Sequence, residues 1–445
     1  MSVEEDMLAK LRPSHEEEAL IESTVRELVK RVTATSIAKE VTFEPVLVGS
    51  IAKGTYLKNP DIDLFLLFDP EVPREKLEEY GVRVGKEAIG GREHYAEHPY
   101  IRGDFNGLKV DVVPAYRIKD TTQKMTAVDR TPFHTEYVKE HLAPEKRDDV
   151  RLLKAFMKGI GIYSAEARVQ GFSGYLCEIL VIRFGGFREA LEAASHWKRG
   201  VYLSMGSHEK ARFDGPIVFI DPVDGNRNMA SAVSLHSLSL FIVAARAYLA
   251  APKTEFFFPK PVPLLSVDEI EDRLKGKGQV LALTLPAPDL IDDILFPQVR
   301  KFERNLTQAL VQRDFNVIRS WSNVIDDRII ILHKLESFEL PDAQLHRGPP
   351  VWIHDNSDDF LAKWRDNPDA LSEPFIENGQ WLLFIKRKHT NARELIVSNM
   401  SALDIGKDLN KYKEDVQVLG PEVPDDSQIL EAISVFLDKR MPWER

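Results

Sequence analysis

The chain has 445 residues, 43% hydrophobic and 29% charged, which is enough for two to four domains with real cores. A formal net charge of −11 disfavours a nonspecific nucleic-acid binder, so any RNA contact has to use local Lys/Arg patches. Cys177 is the single cysteine, which excludes an internal disulfide. There is no signal-like apolar core, and the longest apolar stretch, 238–251, is short for a bilayer and holds Arg246; the expectation is a cytoplasmic protein without membrane contact.

In chain order, Ser14 and the acids at 16–18 start a helix running to about residue 38. Strands are predicted over 43–48 and 62–68, and a helix over 73–90. Further strands over 95–105 and 108–116 are joined by Asn106-Gly107, a strong hairpin signal. This small α/β lobe ends near Asp129. From about Pro144 the chain turns helical: Arg151, Lys154 and Lys158 lie on one face, and Leu153, Phe156, Met157 and Ile160 form the opposite apolar stripe. Glycines at 171 and 174 open a helix reaching 184. An apolar strand over 217–221 ends in a polar turn over 222–228, and a helix follows over 230–250. The proline-rich segment 251–263 reads as a linker. Beyond it, strand 279–285, helix 289–312 and strands 315–321 and 328–335 suggest an α+β unit of RNA-recognition type. Segments 348–353, 358–365 and 381–388 continue it, and helices over 392–400 and 428–439 close the chain.

The chemistry centres on Asp61, Asp63 and Asp111. Alternation along a strand puts Asp61 and Asp63 on one face of a Leu/Phe-rich run, and Asp111 is isolated in a β-branched one. Carboxylates gathered in apolar strands repel one another unless a cation joins them. Three form a hard oxygen site suited to Mg²⁺ and to two-metal phosphoryl transfer. Gly49-Ser50 just upstream allows backbone to approach a phosphate. A second motif, His94-Tyr-Ala-Glu-His98, matches an inverted zinc-protease signature, but that needs a helix, and Pro99 and the flanking aromatics point to extended chain. The Arg151–Lys154–Lys158 row is either a solvated face or a triphosphate contact. The basic cluster 386–388 is either a guarded edge or a backbone contact.

Gly49-Ser50, Asp61-x-Asp63 and Asp111 resemble the signature of polymerase-β-like nucleotidyltransferases. Gly49-Ser-Ile-Ala-Lys-Gly-Thr55, Tyr95-Ala-Glu-His-Pro-Tyr100, Gly161-Ile-Tyr163, Gly171-Phe-Ser-Gly-Tyr-Leu-Cys-Glu178, Asp221-Pro-Val-Asp224, Arg227-Asn228 and Pro374-Phe-Ile-Glu-Asn-Gly379 narrow it. Together with Val128-Asp-Arg-Thr-Pro-Phe-His134 and Arg151-Leu-Leu-Lys154, they are similar to the archaeal (class I) CCA-adding enzymes. The resemblance implies an α+β multidomain fold: a nucleotidyltransferase palm lobe over 1–143, a helical central domain over 144–254, and a C-terminal α+β RNA-binding-like body with a helical tail over 255–445. It implies Asp61, Asp63 and Asp111 as catalytic metal carboxylates for Mg²⁺. Ser50, Lys53, His134, Lys154 and Tyr163 become nucleotide contacts, and Arg227, with Tyr95 and Ala96 nearby, reads the base edge. The implied reaction is untemplated addition of C, C and A to the tRNA 3′ end from CTP and ATP, with pyrophosphate released; a homodimer is compatible with it. Lys53 stands where relatives often carry Arg, keeping the charge without the bidentate fork. Two other readings stay open: a poly(A) polymerase, and a noncatalytic RNA-binding module on the same scaffold.

Overall fold

A computed structural model describes residues 2–95, 98–206 and 213–445. The chain forms two compact units, Met1–Pro261 with Arg440–Arg445, and Val262–Lys439.

The first unit opens with α1 (Val3–Leu11) and α2 (His15–Thr33). Each begins at a serine whose hydroxyl accepts from the N3 amide while the N3 glutamate accepts from the serine amide, Ser2 with Glu5 and Ser14 with Glu17. Then come β1 (Phe43–Val48), a short α3 (Gly49–Lys53), β2 (Ile62–Phe68), α4 (Arg74–Ile89), β3 (Arg92–Tyr95), β4 (Pro99–Phe105) and β5 (Leu108–Tyr116). The sheet order is β1-β2-β5-β4-β3. Only β2 and β5 are parallel, and α4 lies in the crossover between them. Gly81 and Gly85 let that helix lie close to the sheet; an added Cβ would come within 2.4 Å of Pro114 and 2.5 Å of Ile101. Asn106 and Gly107 both take positive φ, 53° and 79°, as a tight hairpin between twisted strands requires. The single strand expected over 95–105 is instead two, β3 and β4, with His94 in extended backbone.

The same unit continues through α5 (Thr131–His141), α6 (Arg147–Gly159), α7 (Gly174–Phe184), α8 (Phe187–Ser195), β6 (Val201–Leu203), β7 (Ile217–Asp221), β8 (Asp224–Asn228) and α9 (Leu235–Ala250). The polar turn expected over 222–228 is a strand: β8 folds back on β7 and pairs Ile220 with Asn228. Phe156 is ringed by Phe187, Phe241, Tyr248, Phe256 and Phe257 at centroid distances of 5.5 to 6.5 Å. Phe256 and Phe257 fall in the expected linker, yet both are buried, because large aromatic surface outweighs the extended preference of the surrounding prolines. Trp443 stacks on Phe256 at 4.9 Å, so the last six residues, expected in the C-terminal body, complete the first unit's core.

The second unit contains α10 (Val267–Leu274), β9 (Gln279–Pro286), α11 (Asp292–Val311), β10 (Val317–Ile325), β11 (Arg328–Leu335), β12 (Ala343–Pro350), α12 (His354–Trp364), β13 (Phe375–Glu377), β14 (Gln380–Lys386), α13 (Ala392–Asn399), β15 (Gln417–Leu419) and α14 (Ser427–Leu437). Its main sheet, ordered β10-β11-β9-β15, is antiparallel throughout. Leu281, Leu283, Ile329 and Ile331 pack against α11 and α13, while Val280, Ala282, Ile330 and Leu332 pack against α10 and α14. Both faces are covered, which explains the unbroken apolar runs of these two strands. A second sheet, β12-β14-β13, completes the unit.

Candidate active site

Register assembles the site. Val48 pairs with Asp63, Asp63 with Asp111 and Asp111 with Arg102, one cross-strand row over β1, β2, β5 and β4. Asp61 lies just before β2. Gly49 follows the row at the start of α3 with φ 72°, and an added Cβ would lie 2.0 Å from Asp63 Oδ2, so only glycine fits there. Burial, then Asp111 and Asp61, push the Asp63 carboxyl up to about 7. Arg102 donates to Asp111 through Nε and Nη2, at 2.6 and 2.7 Å, and to Asp61 at 3.2 Å. Among the described residues, no three acidic, imidazole or thiol side chains converge closely enough to hold one ion. The donor set nonetheless suits a hard divalent cation: Asp63 and Asp111 are paired on adjacent strands, Asp61 lies just before one of them, and a cationic side chain already bridges Asp61 and Asp111.

Beneath this row lies a buried ion-pair cluster. Glu178 of α7 accepts from Lys53 at 2.5 Å, from Lys154 at 2.8 Å and from the Thr55 hydroxyl at 2.5 Å. Lys154 also donates to the Thr55 carbonyl, and Arg151 donates to the Gly54 and Tyr56 carbonyls. The basic row expected as one solvated or triphosphate-facing surface therefore splits. Arg151 and Lys154 are buried and anchor the loop after α3, whose carbonyls need donors, and only Lys158 is exposed. Burial opposes the Glu178 charge, but Lys154 and Lys53 outweigh it and hold the carboxyl at about 2. Burial lowers the Lys154 ammonium, and Glu178 offsets part of that.

A third cluster adjoins it. The Lys53 ammonium lies 5.8 Å from the centroid of the Tyr175 ring, which stacks on His134 at 4.0 Å. The Tyr175 hydroxyl, His134 Nε2 and Arg227 all reach Asp221, at 3.2, 2.8 and 2.8 Å. Asp221 is fully buried; desolvation opposes its charge, but His134, Arg227 and the Val223 amide hold it below the usual range. Burial also draws His134 down, against Asp221.

Most of the sequence-predicted residues thus meet in one unit. Asp63 and Asp111 pair in one row with Asp61 and Ser50 beside it, Lys53 and Lys154 meet at Glu178, and His134 and Arg227 meet at Asp221. Tyr163 borders the middle cluster; its hydroxyl lies 2.9 Å from where a Cβ on Gly174 would stand. Tyr95 ends β3 with 56% exposure, and Ala96 lies outside the described residues. Sequence reasoning gave no role to Arg102, Tyr175 or Glu178. Glu178 carried a usable signal, since a lone acid inside the apolar run Leu-Cys-Glu-Ile-Leu-Val calls for a buried cation.

Residues 31–134 match a nucleotidyltransferase domain, 148–258 the second domain of tRNA nucleotidyltransferases, and 277–420 the C-terminal domain of the CCA-adding enzyme. The CCA-adding enzyme of Methanoregula boonei is 40% identical over 412 residues, covering 91% of this chain and 87% of that protein. That of Thermoplasma volcanium is 37% identical over 414 residues, 93% of this chain and 92% of that protein. That of Methanosarcina acetivorans is 35% identical over 443 residues, 96% and 95%. With identity of this order spanning both units, the chain belongs to the archaeal CCA-adding enzymes, a family of tRNA nucleotidyltransferases.

Proposed function

We propose that this protein adds C, C and A to the 3′ end of tRNA without a template, using CTP and ATP and releasing pyrophosphate. The observation that carries the reading is the row Val48–Asp63–Asp111–Arg102 ending at Gly49-Ser50, which sets acids beside a backbone that nothing larger than glycine could form. Asp61, Asp63 and Asp111 would be the residues that hold Mg²⁺. When bound, the metal would supply Lewis-acid chemistry, making the ribose 3′-hydroxyl easier to deprotonate and offsetting negative charge on the triphosphate.

The protein's own groups position the reactants. Ser50 offers its hydroxyl and amide to phosphate at the start of α3. Lys53 has three donors; Glu178 accepts one, and the others remain for phosphate oxygens. Lys154, occupied by Glu178 and Thr55, acts on nucleotide through the loop it anchors. The Tyr175–His134 stack and Asp221 hold Arg227, whose guanidinium reads the base edge near Tyr95 and Ala96. The palm over 1–143 and the helical part over 144–254 share this work, and the C-terminal part over 255–445, with its basic cluster 386–388, holds the tRNA body.

The test supplies tRNA lacking its last three nucleotides with labelled CTP, ATP or both, plus Mg²⁺, and maps product ends. Two C additions with CTP alone and a terminal A only when both nucleotides are present are expected. Long tails from ATP alone would favour a poly(A) polymerase, and an inert preparation would contradict the reading.

A further inference from the structure

Among the described residues, Arg102 is the cation hydrogen-bonded to Asp61 and Asp111. Its Cα is paired with that of Asp111, its fork takes both Asp111 oxygens, and the same Nη2 reaches Asp61. A bidentate guanidinium–carboxylate pair is strong and directional, and the oxygens it takes are those a divalent ion needs. The Arg102 side chain is also 39% exposed, so it can turn toward solvent without unpacking the sheet.

We propose that Arg102 is an internal counter-ion for the carboxylate site, a positioning residue that a divalent cation must displace from Asp61 and Asp111. The inference rests on the metal-carboxylate reading above. It has a consequence opposite to that of an ordinary structural ion pair. Breaking a structural pair with its charge kept, as in Arg102→Lys, leaves the acids' hold on a cation unchanged or weaker, whereas loss of charge alone strengthens it by Coulomb attraction. Removing a competitor frees the oxygens and strengthens that hold.

The test uses the full chain without nucleotide and Mn²⁺ as the probe, with free Mn²⁺ read by electron paramagnetic resonance. Arg102→Gln is expected to bind Mn²⁺ about tenfold more tightly than wild type, and to gain more in melting temperature when Mn²⁺ is added. Arg102→Lys, which keeps the charge but loses the fork, is expected between the two, and it serves if the glutamine variant does not fold. Asp111→Asn identifies the site, because it is expected to lose the Mn²⁺ that wild type binds. Wild-type binding that Asp111→Asn abolishes, with affinity unchanged or weaker in the Arg102 variants, overturns the counter-ion role alone. Failure of wild type and all variants to bind Mn²⁺ overturns the carboxylate reading and this inference with it.

Discussion

Glu178 and Asp63 belong to the same unit and both lose much of their contact with water, yet they end far apart. Glu178 has two lysines and a threonine hydroxyl within 2.8 Å and is held at about 2. Asp63, facing Asp111 and Asp61, is pushed to about 7. The protein surrounds one carboxylate with donors and the other with acids. A carboxylate the fold has satisfied reads as structural, and one held against its own electrostatics is the candidate for a ligand. The Glu178 cluster also ties α3 to α6 and α7 and so sets where Gly49-Ser50 stands relative to the acids.

The comparison is broken most severely at Asp63. Asp63→Asn should lower nucleotide addition by about 10³-fold or more, since metal-borne charge stabilisation is worth several kcal/mol. Filter binding should find its tRNA affinity close to wild type. At the satisfied site the large effect is on stability. Glu178→Ala strands two buried lysines and should cost about 3–5 kcal/mol in urea unfolding.

The pH dependence sharpens the contrast. The Glu178 carboxyl is lowered on folding, so its stabilisation is fully present above about 4.5 and is lost as pH falls toward about 2. Urea midpoints in that window should fall more steeply for wild type than for Glu178→Gln. The smallest effect concerns the neighbouring cluster. Arg227→Ala should shift the ratio of CTP to ATP use by roughly tenfold while changing the overall rate less. Equal slowing with both nucleotides would contradict a base-reading role.

Local pattern carried much of the fold. β1, β2 and β5 run over the residues that alternation and β-branching marked, and Asn106-Gly107 makes the turn its chemistry demands. Asp61, Asp63 and Asp111 stood out because acids are conspicuous in apolar strands. What stayed hidden depended on partners far along the chain. Glu178 meets Lys53 across 125 positions, and Arg102 meets Asp61 across 41. Periodicity reports which face a residue occupies, not what waits on the other side. That is why the Arg151–Lys154 face looked either solvated or free to meet a triphosphate, and why Phe256 and Phe257 looked like linker.

The most direct test of the contrast is the melting temperature of Asp63→Asn beside wild type, each in chelator and in Mg²⁺ without nucleotide. Because ionised Asp63 is opposed by burial and by its acidic neighbours, the variant should melt above wild type in chelator, and Mg²⁺ should raise wild type while leaving the variant little changed. A variant that melts below wild type in chelator and still responds fully to Mg²⁺ would contradict the claim that Asp63 is held in place for a cation.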